Sequence, residues 1–264
     1  MLMSEPSIIT SAQNPKIKKL LALQQKSSER RSEGLFVVEG RREIEHCIEA
    51  GYEIDTIFVC PSITNTPLDV PEGTKIFDVS AEVYEKIAYR SGTEGLIAEV
   101  RTKSLGLADL QLSEHPLIVV LESVEKPGNL GAVLRSADAS GADAVIVCDP
   151  WTDLYNPNLI RSSIGAIFTV PCVACSSAEC IEFLKAHGIK ILTAQLQDSD
   201  LYYDSDMKCG VAIVMGTEST GLTDVWRKAA DAHIRIPMLG RLDSLNVSVS
   251  AAILLFEAVR QRNA

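Results

Sequence analysis

The chain has 264 residues, 46% apolar and 23% charged, a balance that fits a globular protein with one large core or two modest ones. A net charge of −10 excludes indiscriminate binding to a polyanion and leaves a local basic face as the route to nucleic acid. No basic segment leads into an apolar run at the N-terminus, and no apolar stretch approaches the roughly 18 residues of a membrane span, so a cytoplasmic protein with no membrane partner is expected.

Residues 14–32 alternate basic and leucine-rich positions and predict a helix after Asn14-Pro15. Between Asn14 and Arg31 stand Lys16, Lys18, Lys19, Lys26, Arg30 and Arg31 against one acid, Glu29. That is a basic patch in an acidic chain, and by itself it also reads as a solvated helix face. Residues 34–39 read as a short buried strand, 41–50 as a helix stopped by Gly51, and 54–59 as another strand. A Pro- and Thr-rich loop spans 61–74. A strand at 75–79, a helix at 80–90 and a strand at 95–100 then complete a small α/β unit. Residues 101–115 lack a clear period. The expected division is a first domain over 1–104, a linker over 105–115 and a second domain over 116–264.

From Pro116 strands and helices alternate regularly. Strands are expected at 117–124, 144–148, 189–194, 211–215 and 233–236, with helices at 130–140, 157–165, 177–187, 223–230 and 247–262. Near-continuous apolar strands separated by helices imply a parallel sheet covered on both faces. Seven cysteines are scattered along the chain, and Cys172-Val-Ala-Cys175 is a CxxC. With no second CxxC or histidine pair near it, no metal is expected, and the thiols read as small buried residues in a reduced compartment. The sequon Asn246-Val-Ser248 is set aside because nothing exports this chain.

Ligands of parallel α/β sheets collect at the carboxyl ends of the strands, and three loops carry unusual content for that position. The first is Lys126-Pro-Gly-Asn129-Leu-Gly131-Ala-Val-Leu-Arg135, where Gly131 permits close helix packing or close approach of a ligand. Asn129 and Arg135 read either as a helix cap with an exposed arginine or as two groups aimed at one ligand. The second is Val214-Met-Gly216-Thr-Glu218-Ser-Thr-Gly221-Leu222, a glycine-bracketed turn with one carboxylate, and Thr223 is placed to cap the next helix. It lacks the lysine of a phosphate loop, and no GxGxxG occurs, so neither a nucleoside triphosphate nor a nicotinamide dinucleotide is indicated. The third runs from Ile236-Pro-Met238 through Arg241 to Ser244-Leu245-Asn246, into an apolar helix that reads as core or dimer interface.

In this order the segments PGNLGAVLRSADASGADAVIV, MGTESTGL and IPM…SLNVSVSAAI resemble the SpoU (TrmH-type) branch of the SPOUT RNA methyltransferases. The likeness extends through the connecting stretch from Asn156 past Arg161 to Phe168. More loosely, NPKIKKLLAL…GLFVVEG is similar to the ribosomal-protein-like substrate-binding domain of many members. The resemblance implies a C-terminal parallel-sheet α/β domain with a deep trefoil knot, preceded by that small α/β domain. It also implies a homodimer and S-adenosylmethionine as cofactor. The activity implied is methylation of a ribose 2′-hydroxyl in structured RNA, ribosomal in preference to transfer RNA. By motif, Asn129, Arg135, Glu218, Ser244 and Asn246 correspond to the catalytic and ribose-binding set. Gly216, Ile236, Met238, Leu245 and Thr193 correspond to the cofactor pocket.

Beside such a domain, Lys16, Lys18, Lys19, Arg30, Arg31, Arg41 and Arg161 become candidate RNA contacts, with Arg42 nearby. The family role for Arg135 is to activate the attacking hydroxyl. Because an arginine keeps its proton in proteins, stabilisation of the developing alkoxide and a grip on phosphate are the expected contributions. The rival reading is a non-catalytic RNA-binding or ribosome-assembly factor that retains the fold.

Overall fold

The structure, a computed structural model, describes residues 8–89, 94–217 and 220–264. It divides into two compact units, one of residues 1–103 with 155–161 and one of 104–154 with 162–264.

The first unit holds α1 (Pro15–Gln25), α2 (Ser27–Glu33), β1 (Leu35–Glu39), α3 (Arg41–Glu49), β2 (Ile54–Val59), β3 (Lys75–Asp78), α4 (Ala81–Ile87) and β4 (Leu96–Arg101). Its sheet has the order β1-β4-β2-β3, with β4 antiparallel to both neighbours and β2 parallel to β3. Ile17, Leu20 and Leu23 repeat on one face of α1 and join Leu35, Val37, Phe58, Tyr84, Ile87 and Ile97 in the core. The single helix expected over 14–32 is two, because Lys26 is extended (φ −120°, ψ 119°). A helix end leaves carbonyls without intrahelical donors. Here Arg30 supplies them, its Nη1 donating to Leu23 O at 2.6 Å and Gln24 O at 3.2 Å. Arg30 is accordingly 4% exposed, and its burial follows from closing off α1.

The segment 155–161, which the sequence reading keeps with the second half, packs in the first unit. Tyr155 stacks on Phe36 with ring centroids 4.3 Å apart, and its hydroxyl accepts from Lys103 N at 2.9 Å and donates to Lys103 O at 2.8 Å. Two aromatic faces pressed together in a core outweigh chain continuity with the sheet that follows.

The second unit adds β5 (Leu117–Glu122), α5 (Pro127–Ser140), β6 (Ala144–Cys148), the end of α6 (Pro157–Ser163), α7 (Ala166–Thr169), β7 (Cys172–Cys175), α8 (Ser177–Ala186), β8 (Lys190–Ala194), β9 (Asp200–Leu201), β10 (Val211–Met215), α9 (Asp224–Ala229), β11 (Ala232–Arg235) and α10 (Val247–Arg262). Its seven strands pair only in parallel, in the order β7-β6-β5-β10-β8-β11-β9. Every residue of β5, β6 and β10 is buried, as expected of strands covered on both faces. Ile118, Val120, Ile146, Ala212 and Val214 form one core layer with Leu184, Ile191 and Trp226. The strands β7 and β9 were not expected. The helix expected over 157–165 breaks at Ile164 and Gly165, both at positive φ (55° and 85°), before the short α7. The Pro-Gly-Asn stretch expected as loop is the first turn of α5, where Pro127 fills a position needing no N–H donor.

Arg30→Ala is expected to lower stability by about 1–3 kcal/mol by orphaning the α1 carbonyls. Arg31→Ala, at an exposed position of the same helix, is expected to stay within about 0.5 kcal/mol. Urea unfolding of the two variants beside the parent measures the contrast.

Candidate active site

The chain winds from β5 outward to β6 and β7, then crosses to lay β8, β10 and β11 on the other side, so the order reverses between β5 and β10. In open parallel sheets that reversal opens a crevice beyond the carboxyl ends of the strands. An open cleft of about 450 Å³ lies there, lined by Val124, Glu125, Lys126 and Asn129 after β5, Gly216 and Thr217 after β10, and Val247 at the start of α10. The first two loops and the start of the helix that follows the third therefore reach one place.

Asn129 sits in the first turn of α5, and its Oδ1 accepts from Asn246 Nδ2 at 3.2 Å. Asn246 is the N-cap of α10, its Oδ1 accepting from Ser248 N at 2.9 Å and Ser248 Oγ at 2.6 Å. One asparagine thus starts a helix while its amide joins the first loop to the third. Gly216 is required by close approach. A Cβ there would lie 2.3 Å from the carbonyl carbon and oxygen of Gly221 and 2.5 Å from Leu222 N. The turn is also tied by Gly221 N donating to Thr217 O at 3.0 Å and Thr220 N donating to Thr217 Oγ1 at 3.1 Å. Gly131 answers to packing, since a Cβ on it would fall 2.0 Å from Ser162 Oγ and 2.8 Å from Ser163 N.

Arg135 is exposed on α5, and no hydrogen bond or ion pair joins its side chain to another described residue. Ser244 is exposed and donates to Asp243 Oδ1 at 3.3 Å. Ile236 and Met238 are half-buried and Leu245 is 38% exposed, in the irregular segment 236–246 outside the cleft lining. Thr193 is fully buried in β8, where its hydroxyl shares a 2.6 Å hydrogen bond with His233 Nδ1. Glu218 lies outside the described residues.

The residue the sequence reading missed is Glu122. It is 3% exposed at the end of β5, with Oε2 accepting from Thr223 N at 2.9 Å and Oε1 from Thr223 Oγ1 at 2.6 Å. Thr223 does stand at the N-cap of α9, but its hydroxyl bonds Glu122 and makes no cap hydrogen bond. The available signal was an acid closing the otherwise apolar run Leu-Ile-Val-Val-Leu-Glu122.

Among the candidate RNA contacts, Lys19 lies 3.6 Å from Glu99 and 3.5 Å from Glu33, and Lys16 sits over the Phe77 ring at 4.7 Å. Arg41 bonds Pro67 O at 3.2 Å and also Thr66 O, and Arg161 lies over the Tyr89 ring at 5.0 Å. Arg42 pairs with Glu43 at 2.9 Å. Lys18, Lys26 and Arg31 are exposed, and their side chains make no hydrogen bond or ion pair to another described residue.

Residues 116–256, more than half of the chain, match the SpoU rRNA Methylase family. This chain belongs to that family. Residues 14–98 of this SpoU member match the MRM3-like substrate binding domain. Among curated relatives, the 23S rRNA (guanosine-2′-O-)-methyltransferase RlmB of Vibrio cholerae is 37% identical over 198 residues, covering 73% of this chain and 80% of its own. A solved RNA 2′-O ribose methyltransferase superposes with a TM-score of 0.85 at 41% identity, covering 98% of this chain and 100% of its own. An AdoMet-bound rRNA methyltransferase from Sinorhizobium meliloti superposes with a TM-score of 0.87 at 29% identity, covering 96% and 97%.

In this SpoU fold Gly216→Ala is expected to cost about 1–3 kcal/mol, because the clashing atoms are backbone and cannot rotate away. Gly128→Ala, where a Cβ would meet nothing within 4 Å, is expected to stay within about 0.5 kcal/mol. Guanidinium unfolding curves of the two proteins test the difference.

Proposed function

We propose that this chain transfers a methyl group from S-adenosylmethionine to the 2′-hydroxyl of a guanosine ribose in large-subunit ribosomal RNA. The observation that carries the reading is the convergence of all three family motifs on one cleft at the β5–β10 crossover. When bound there, the cofactor supplies a methyl group on a sulfonium that an oxygen nucleophile can displace in line. The residues present fit it. Val124 and Val247 provide apolar wall, the bare backbone at Gly216 admits close approach, and Glu125 puts a carboxylate beside a cationic ligand. In this reading Ile236, Met238 and Leu245 complete the pocket from the third loop, and Thr193 supports it from beneath through His233.

Asn129 and Asn246 hold the ribose against the cleft, with their mutual hydrogen bond fixing both amides. Ser244 shapes the mouth, and Glu218 is assigned beside it by motif. Arg135 keeps its proton and donates to the developing 2′-alkoxide and a neighbouring phosphate. The hydroxyl proton then leaves to solvent or to an RNA oxygen as attack proceeds.

The first unit is proposed as the RNA-binding module. Its support is the match over 14–98 together with Lys18, Lys26 and Arg31, exposed cations whose side chains have no partner among the described residues. The C-terminal segment leaves Leu239, Leu242, Val249 and Phe256 exposed at 96, 75, 47 and 48%, an apolar surface that supports a homodimer. The return of α10 from β11 to pack on α5 supports a trefoil knot at that end. A ribosomal substrate supports a cytoplasmic location.

Mapping 2′-O-methyl sites in ribosomal RNA with and without the gene is expected to show one site lost, and purified protein should restore it. If no site changes while the protein still binds ribosomal RNA, the chain is an RNA-binding factor and not the enzyme. Arg135→Lys is expected to lower kcat about 10²–10³-fold with S-adenosylmethionine affinity unchanged, in the range for losing one aligned donor. Full activity in that variant would remove Arg135 from the chemistry. Neutralising Lys18 and Arg31 together is expected to weaken RNA binding and reduce its salt slope by about 2, as measured by filter binding across salt concentrations.

A further inference from the structure

Cys172 and Cys175 form a CxxC in the sequence, and the structure turns them apart. Three residues apart on β7, they point to opposite faces of a strand whose side chains alternate. The partners of Cys175 are Cys148 at the end of β6 and Cys180 in α8, and the three sulfur atoms all lie within 4.8 Å of one another. Cys148 and Cys175 are register partners on adjacent parallel strands.

The site is held by a frame that needs no ligand. Asp149 N donates to Cys175 O at 2.9 Å, tying the two strand ends together. Asp149 Oδ2 accepts from Ser177 Oγ at 2.6 Å and Ser177 N at 3.2 Å, which fixes the start of α8. Behind it Trp226 Nε1 donates to Ser177 Oγ at 3.0 Å. Cys148 and Cys180 are fully buried in the core layer with Ile146, Leu184 and Trp226, while Cys175 is half-buried and opens toward solvent.

The electrostatics call for a cation. The charged groups that bear on Cys175 are Asp149 and Glu179, both acidic. Zinc bonds thiolate at about 2.3 Å, which sets sulfurs in a tetrahedral shell about 3.8 Å apart. Small side-chain rotations bring three atoms already within 4.8 Å to that spacing.

We propose that Cys148, Cys175 and Cys180 form a zinc site, with solvent in the fourth position on the Cys175 side. The site is separate from the cleft and does not depend on the proposed methyl transfer. Zinc binding would release the thiol protons and pin β6, β7 and α8 to one another.

The test uses the full chain, reduced with a phosphine and titrated with Zn²⁺, with Co²⁺ as the spectroscopic reporter. One zinc per chain and a thiolate-to-cobalt charge-transfer band are expected. Zinc should also protect Cys148, Cys175 and Cys180 from alkylation while exposed Cys209 labels freely with or without it. Cys175→Ser should lose stoichiometric zinc, and Cys172→Ser should keep it. Protection is read on the unaltered chain, so a folding defect in a variant leaves the result intact. Absence of the cobalt band, an unchanged labelling rate at Cys175, or a Cys148–Cys175 disulfide that forms in the presence of zinc would each overturn the proposal.

Discussion

The second unit depends on the pairing of β5 with β10. The two strands run parallel from Leu117 opposite Val211 to Leu121 opposite Met215, and every residue in both is buried. Parallel strands so placed cannot be joined by a tight turn, so each must release its chain into a loop at the same edge of the sheet. Because the winding direction reverses between them, no crossover helix covers the gap. The cleft is what remains when two buried strands end side by side and their chains depart in opposite senses.

Holding that gap open requires the departing loops to be fixed, and Glu122 does this. A carboxylate at the last position of a buried strand is costly unless its oxygens are satisfied. Here both oxygens accept from Thr223, backbone and hydroxyl together, which anchors the far end of the glycine-bracketed turn to β5. On the other side Asn246 caps α10 and reaches Asn129. Each loop is therefore tied to another through a side chain whose first duty is structural.

The sequence shows the sheet well because burial on both faces leaves an unbroken apolar run, as in Leu117–Leu121 and Val211–Met215. It shows β7 poorly, because Cys172–Cys175 is only four residues long, too short a run to display a strand period. The partners of Cys175 lie 27 residues before it and five after it, on other elements, and no local spacing encodes that meeting. The same holds for Arg30. Its charge places it in a basic patch, while its position relative to the end of α1 buries it, and only the break at Lys26 tells the two apart. Thr223 was legible as a cap position and its bond to Glu122 was not, because that contact spans 101 residues.

These distinctions bear on how an acidic chain meets RNA. With a net charge of −10, long-range attraction to a polyanion is weak, and contact depends on cations that no carboxylate or carbonyl already holds. Lys19, Arg41 and Arg42 have internal partners, whereas Lys18, Lys26 and Arg31 have none among the described residues. Arg135 belongs with the second group but differs in its mount. Its helix is locked at Gly131 against Ser162 and Ser163 and packs along α10. A charged group on a rigid helix, unpartnered among the described residues and somewhat under two turns from Asn129, loses little entropy when it grips an anion. The proposed alkoxide contact needs that combination, and a more flexible or already paired arginine would not supply it.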